Sequence, residues 1–146
     1  MKAIAWITIF TIGLAFAGAG SSTELKVPKE NSVQTQSQIK LVISDQISAF
    51  LSLDVDRAYE HASSSIKAIF PNSKIFGTMV KKSYPMIWNP KSYQFLSTVY
   101  NSSVILQRMM FKDQQDTMHF FDYALENNGE RWVITGVYLV QGEQGV

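Results

Sequence analysis

Apolar residues recur every three or four positions at Ile39, Ile43, Ile47 and Phe50 or Leu51, with Val42 and Ala49 beside them. That spacing gathers one apolar stripe on a helix over about 35–52. Asp54 or Asp56 can cap a second, short helix through Ala58, Tyr59 and Ala62. The serine run 63–65 breaks it and caps a single turn at Ile66–Phe70. Asn72 or Ser73 then caps a third helix, whose stripe reads Ile75, Phe76, Met79, Val80 and Tyr84. Pro85 drives Tyr84 out of the helical region and stops this helix, leaving the Pro85–Pro90 segment as a loop.

Beyond Pro90 the period falls from 3.6 to 2. Alternation over Tyr93–Tyr100, Val104–Phe111, Thr117–Glu126 and Arg131–Val140 predicts four strands. Asn101-Ser102, the polar loop Lys112–Asp116 and the turn Asn127-Asn128-Gly129 separate them. Connections this short force antiparallel neighbours, so the sheet is a meander. The expected fold class is α+β, with N-terminal helices packed on one face of a curved antiparallel sheet and a pocket at the open end of the cone.

The first 36 residues follow neither period. Residues 1–20, MKAIAWITIFTIGLAFAGAG, place Lys2 before an uncharged, mostly apolar run, then small residues at signal-peptidase spacing. The expectation is a signal peptide over 1–19, cleaved after Ala17 or Ala19, and hence a periplasmic or secreted protein that meets a membrane only through this leader. Polar residues 20–36 read as a tether, residues 37–140 as one domain, and 141–146 as a polar tail.

Composition narrows the chemistry. With 46% hydrophobic and 17% charged residues, the 146-residue chain has enough apolar material for a core. A formal net charge of +1, with Lys81-Lys82 the one adjacent basic pair, offers no long-range field for nucleic acid or anionic lipid. The absence of cysteine excludes a disulfide scaffold, a thiolate nucleophile and a cysteine zinc site. His61 and His119 are the only histidines, so a histidine-rich metal site is excluded within one chain; no cofactor is expected.

The run Asp56-Arg57-Ala58-Tyr59-Glu60-His61-Ala62-Ser63 is followed by Ile66, Phe70 and Phe76-Gly77-Thr78-Met79-Val80-Lys81-Lys82-Ser83-Tyr84-Pro85. Pro90-Lys91-Ser92, Gln107, Tyr123-Ala124-Leu125-Glu126 and Gly129-Glu130-Arg131-Trp132-Val133-Ile134-Thr135-Gly136-Val137 complete the pattern. It resembles the bacterial domain-of-unknown-function family numbered 4864 over about 37–140. The closing strand also resembles that of the nuclear-transport-factor-2-like superfamily. The resemblance implies a cone-shaped α+β domain of bacterial origin and brings no activity. Many domains of that shape pair through the outer sheet face, which makes a homodimer one expectation.

Enzymes on such cones place an Asp, Tyr or His in an apolar pocket, where desolvation tunes its pKa. Asp122 and His119 are the candidate acid/base residues. On the third strand Asp122 shares a face with Met118, Phe120 and Ala124, and His119 lies opposite with Phe121, Tyr123 and Leu125. As a base, Asp122 needs burial and a donor such as Tyr59, Tyr84 or Tyr138. The plainer reading is a cross-strand pair with Arg108 or Arg131. His61, beside Glu60, reads as solvent-facing. Tyr59, Phe76, Met79, Tyr84, Trp88 and Gln107 are candidate pocket residues; most can equally be core, whereas Trp88, in the proline-bounded loop, can line a pocket mouth or a partner surface, and Gln107 can bond the backbone of the Pro85–Pro90 loop. The leading expectation is a non-catalytic domain binding a small apolar ligand or a protein partner. The alternatives are an isomerase-like or hydro-lyase-like enzyme and a structural accessory subunit with a filled cone.

Overall fold

In the computed structural model, residues 29–141 are described, with side chains from Ser32 onward. The signal peptide, most of the tether and the tail from 142 lie outside the described residues. Five helices precede a four-stranded sheet: α1 (Lys29–Leu51), α2 (Val55–Glu60), α3 (Ser64–Ile69), α4 (Ser73–Ser83) and α5 (Pro85–Trp88), then β1 (Ser92–Asn101), β2 (Val104–Lys112), β3 (Met118–Asn127) and β4 (Trp132–Leu139). The sheet order β1-β2-β3-β4, antiparallel throughout, is the meander that the short turns require. The α+β class is as expected.

Helix α1 begins six residues before the expected start, inside the segment read as a tether. Its polar first turns lack an apolar stripe but have tertiary anchors. The Gln36 amide donates to Thr98 Oγ1 (3.1 Å), the Tyr100 hydroxyl to the Ser32 carbonyl (3.3 Å), and Trp132 Nε1 to Gln38 Oε1 (3.2 Å). Sheet contacts thus extend a helix that periodicity alone would begin later. Ile39, Ile43, Ile47 and Phe50 are buried on the sheet, whereas Leu51 is exposed.

The caps form as the sequence suggests: Asp54 accepts from Arg57 N, Ser63 from Ile66 N, and Asn72 from Ile75 N. Pro85 ends α4 and starts the extra turn α5, because proline at a first helical position sacrifices no hydrogen bond. The expected Pro85–Pro90 loop is therefore mostly helical, and Ile87 is buried. Gly77 lets α4 approach α2: a Cβ there would lie 2.6 Å from Val55 Cγ1. Gly129 turns the last hairpin at φ 98°. Ile75, expected in the buried stripe of α4, is 46% exposed.

All five helices lie on one side of the sheet. The inward residues Ile105, Met109, Phe111, Phe121, Tyr123, Leu125, Ile134 and Val137 close one core with α1, α2 and α4. A parallel bridge from Ala62 to Ile134, with Ile134 N donating to the His61 carbonyl at 2.7 Å, ties the end of α2 to β4.

Candidate functional site

Alternation along β3 decides where the candidates go. His119, Phe121, Tyr123 and Leu125 point toward the helices, and Met118, Phe120, Asp122 and Ala124 point away, as the period of two requires. Asp122 therefore stands on the outer face. Its register partner is Arg108, whose Nε and Nη2 reach the two carboxylate oxygens at 2.8 Å each. That bidentate pair satisfies the carboxylate and is the plainer of the two sequence readings. Arg131 instead donates to the Glu60 carbonyl at 2.7 Å.

His119 sits at the start of β3, where its Nε2 meets Asp113 Oδ2 at 2.8 Å. That hydrogen bond, with those from the Thr117 and Gln115 amides, holds the Asp113 carboxyl below its ordinary range. Neither Asp122 nor His119 lines the interior cavity.

That cavity lies between α1, α4, α5 and the sheet. It has about 20 Å³ of space for a water-sized guest, walled by Phe50, Phe76, Tyr84 and Val137 with Gln46 and Tyr123 as polar members. One water molecule fits such a volume; an organic ligand does not. Tyr123 is wholly buried, and its hydroxyl is the one buried side-chain polar atom without a partner among the described residues. Burial pushes the Tyr123 phenol far up, and the Tyr84 phenol up. Both stay neutral, so neither is poised as a base. Gln46, also buried, donates to the Ala58 carbonyl at 3.2 Å.

Of the pocket candidates, Phe76 and Tyr84 line this cavity, and Tyr59, Met79 and Trp88 pack around the core beside it. Tyr59 donates to the Phe70 carbonyl. Trp88 lies against Phe50, ring centroids 5.4 Å apart, instead of at a pocket mouth. Gln107 departs furthest from its reading. It bonds no residue of the Pro85–Pro90 segment. Its amide donates to the Arg108 carbonyl at 2.8 Å and to the Leu96 and Ser97 carbonyls at 3.3 Å, and its Oε1 accepts from Thr98 at 2.6 Å. These β1 groups sit where the β1–β2 register slips between Phe95 and Thr98. An extra residue in one strand frees carbonyls from the ladder, and a buried amide opposite satisfies them.

His61 is a second correction. It does not face solvent: its Nε2 lies 2.6 Å from Asp45 Oδ2, and Arg57 binds the same carboxylate at 2.9 and 3.2 Å. Asp45 on α1 and His61 just after α2 are sixteen residues apart, so no short spacing announced the pair. The hydrogen bond from His61, then that from Arg57, lowers the Asp45 pKa from its ordinary 3.8. A depressed carboxyl stabilises the fold fully above its unfolded pKa, and this is lost as pH falls through the folded value. Asp45→Asn should therefore flatten the acid limb of stability below about pH 4. Asp113 and Asp116 still contribute to that limb. Urea midpoints measured against pH check this; a limb of unchanged steepness would refute it.

Among the described residues no three His, Asp or Glu side chains are placed to hold a metal ion, and no helix is long and apolar enough to cross a membrane. A family model, Domain of unknown function (DUF4864), matches residues 32–145. No curated protein and no solved structure shows a significant match.

Proposed function

Because the chain belongs to the domain-of-unknown-function family DUF4864, its role must be read from its surfaces, and we propose an exported, non-catalytic interaction domain that assembles with a second copy through its outer sheet face. The observation that carries this reading is the apolar character of that face. No helix covers it, yet Val99 is 54% and Met118 59% exposed, with Leu106, Met110 and Phe120 half-buried between them. An antiparallel sheet face meant only for water carries polar side chains.

The register makes the face self-complementary. Arg108 opposes Asp122 across β2–β3, and Met110 opposes Phe120 two positions along. A two-fold axis parallel to the strands, between β2 and β3, sets Arg108 against Asp122 of the other copy and Met110 against its Phe120. Both charges then find two partners of opposite sign within an apolar surround.

The interior supports the non-catalytic part. Its space suits one water, and the candidate acid/base residues Asp122 and His119 are engaged by Arg108 and Asp113 outside it. The leader pattern of residues 1–19 supports export.

Sedimentation velocity on the purified chain tests the assembly. The native chain should sediment as a dimer. Arg108→Glu, which sets carboxylates against each other within and between copies, should give a monomer with an unchanged far-UV spectrum. Adding Asp122→Arg restores the charge pattern and should restore the dimer. A native chain that stays monomeric at about 100 μM, equivalent to under about 5.5 kcal/mol of association free energy, would overturn the proposal.

A further inference from the structure

The near-zero net charge conceals a segregation. From His61 to Lys112 the sequence has no Asp or Glu, but it contains Lys67, Lys74, Lys81, Lys82, Lys91, Arg108 and Lys112. The fold neutralises three of these with carboxylates from outside the stretch: Arg108 by Asp122, and Lys91 and Lys112 by Asp116. The other four, all on α3 and α4, make no ion pair with a described residue. Asp56, the acid that touches this region, accepts a hydrogen bond from Ser73 at the start of α4.

Helix α4 sorts its residues by face. Lys74, Thr78, Lys81 and Lys82 stand four, seven and eight positions apart and are exposed, while Phe76 and Val80 are buried against the core. Two large apolar side chains are exposed in the same α3–α4 segment: Ile69, at 67%, and Ile75. Two of the lysines lie over half-buried aromatic rings. Lys67 Nζ lies 5.2 Å from the Tyr59 ring centroid, and Lys81 Nζ lies 5.9 Å from that of Trp88.

We propose that the α3–α4 surface docks on an anionic lipid bilayer, with the four lysines among the headgroups and Ile69 and Ile75 entering the acyl boundary. Lysines alone would equally suit an acidic protein. Exposed isoleucines interleaved with them along the same two helices are the composition of an interfacial segment. Net charge does not forbid this, because screening confines the relevant field to about 8 Å and only the nearest charges count. The surface belongs to the helical layer and does not depend on pairing through the sheet.

The test is flotation of the purified chain with phosphatidylcholine vesicles, with and without phosphatidylglycerol. Binding should require phosphatidylglycerol and weaken as salt rises. Lys74→Glu/Lys81→Glu should lower partitioning at least about tenfold. Ile69→Ser/Ile75→Ser should lower it as well at unchanged charge. All four positions being exposed, thermal melts of both variants should stay near that of the native chain. No binding to phosphatidylglycerol vesicles, or binding untouched by the lysine variant, overturns the proposal. So does a loss in the lysine variant with none in the isoleucine variant, which would mark an electrostatic surface suited to an acidic protein.

Discussion

Phe50→Ala should lower the unfolding free energy by about 4 kcal/mol. Phe50 closes α1 over the core, 1% exposed, with its ring centroid 6.1 Å from Phe76 and 5.4 Å from Trp88. It also walls the water-sized cavity. The void left by its ring would merge with that space, and the surrounding aromatic side chains are too large to collapse into it. This places the loss in the upper half of the range for buried aromatic truncations. A small domain has about 5–15 kcal/mol in all, so a substantial share of its stability goes with one side chain. Urea unfolding followed by tryptophan fluorescence measures it, since Trp88 touches the deleted ring. Phe50→Leu, which keeps most of the volume, should cost about 1.5 kcal/mol or less. Equal losses for the two variants would show that ring volume is not the cause.

Gln107→Leu should cost about 3 kcal/mol although it preserves apolar bulk. Gln107 is fully buried mid-strand, yet it serves the Leu96 and Ser97 carbonyls and the Thr98 hydroxyl at the β1 irregularity. Leucine fills the space but takes the donor from the Leu96, Ser97 and Arg108 carbonyls and the acceptor from the Thr98 hydroxyl; each group orphaned away from water costs about 1–3 kcal/mol. Thr98 also accepts from Gln36, so the damage extends to the first turns of α1. Amide exchange should quicken in β1 and in α1 before Ile39, while β3 and β4 change only with global stability. A variant as stable as the native chain would show that the register slip needs no side-chain partner.

Local chemistry made most of the elements legible. The Ile39–Ile43–Ile47 spacing, the caps at Asp54, Ser63 and Asn72, and the Gly129 turn act within a few residues of themselves, and each appears where expected. Strand alternation also sent Asp122 outward and His119 inward, so the candidate acid/base pair could already be seen to split between two faces. Three of the departures share one origin. The first turns of α1 and the His61–Asp45 bond depend on a partner sixteen to ninety-four residues away, and the Gln107 amide on a strand slip with no composition of its own.

The chain's sequence alone determined the α+β order, the antiparallel meander and the family, because period, turn and residue type act over one or two turns of backbone. Tertiary structure decided which surfaces remain. It filled the space between helices and sheet to a water-sized remnant, because Phe50 of α1 and Phe76 of α4 meet there, with Trp88 of α5 packed behind Phe50. It also turned Ile75 outward, and it brought Asp116 and Asp122 to Lys91 and Arg108 while leaving the α3–α4 lysines without carboxylates. Sign and hydrophobicity belong to residues, but neutralisation and burial belong to what packs opposite, and only the folded chain specifies that.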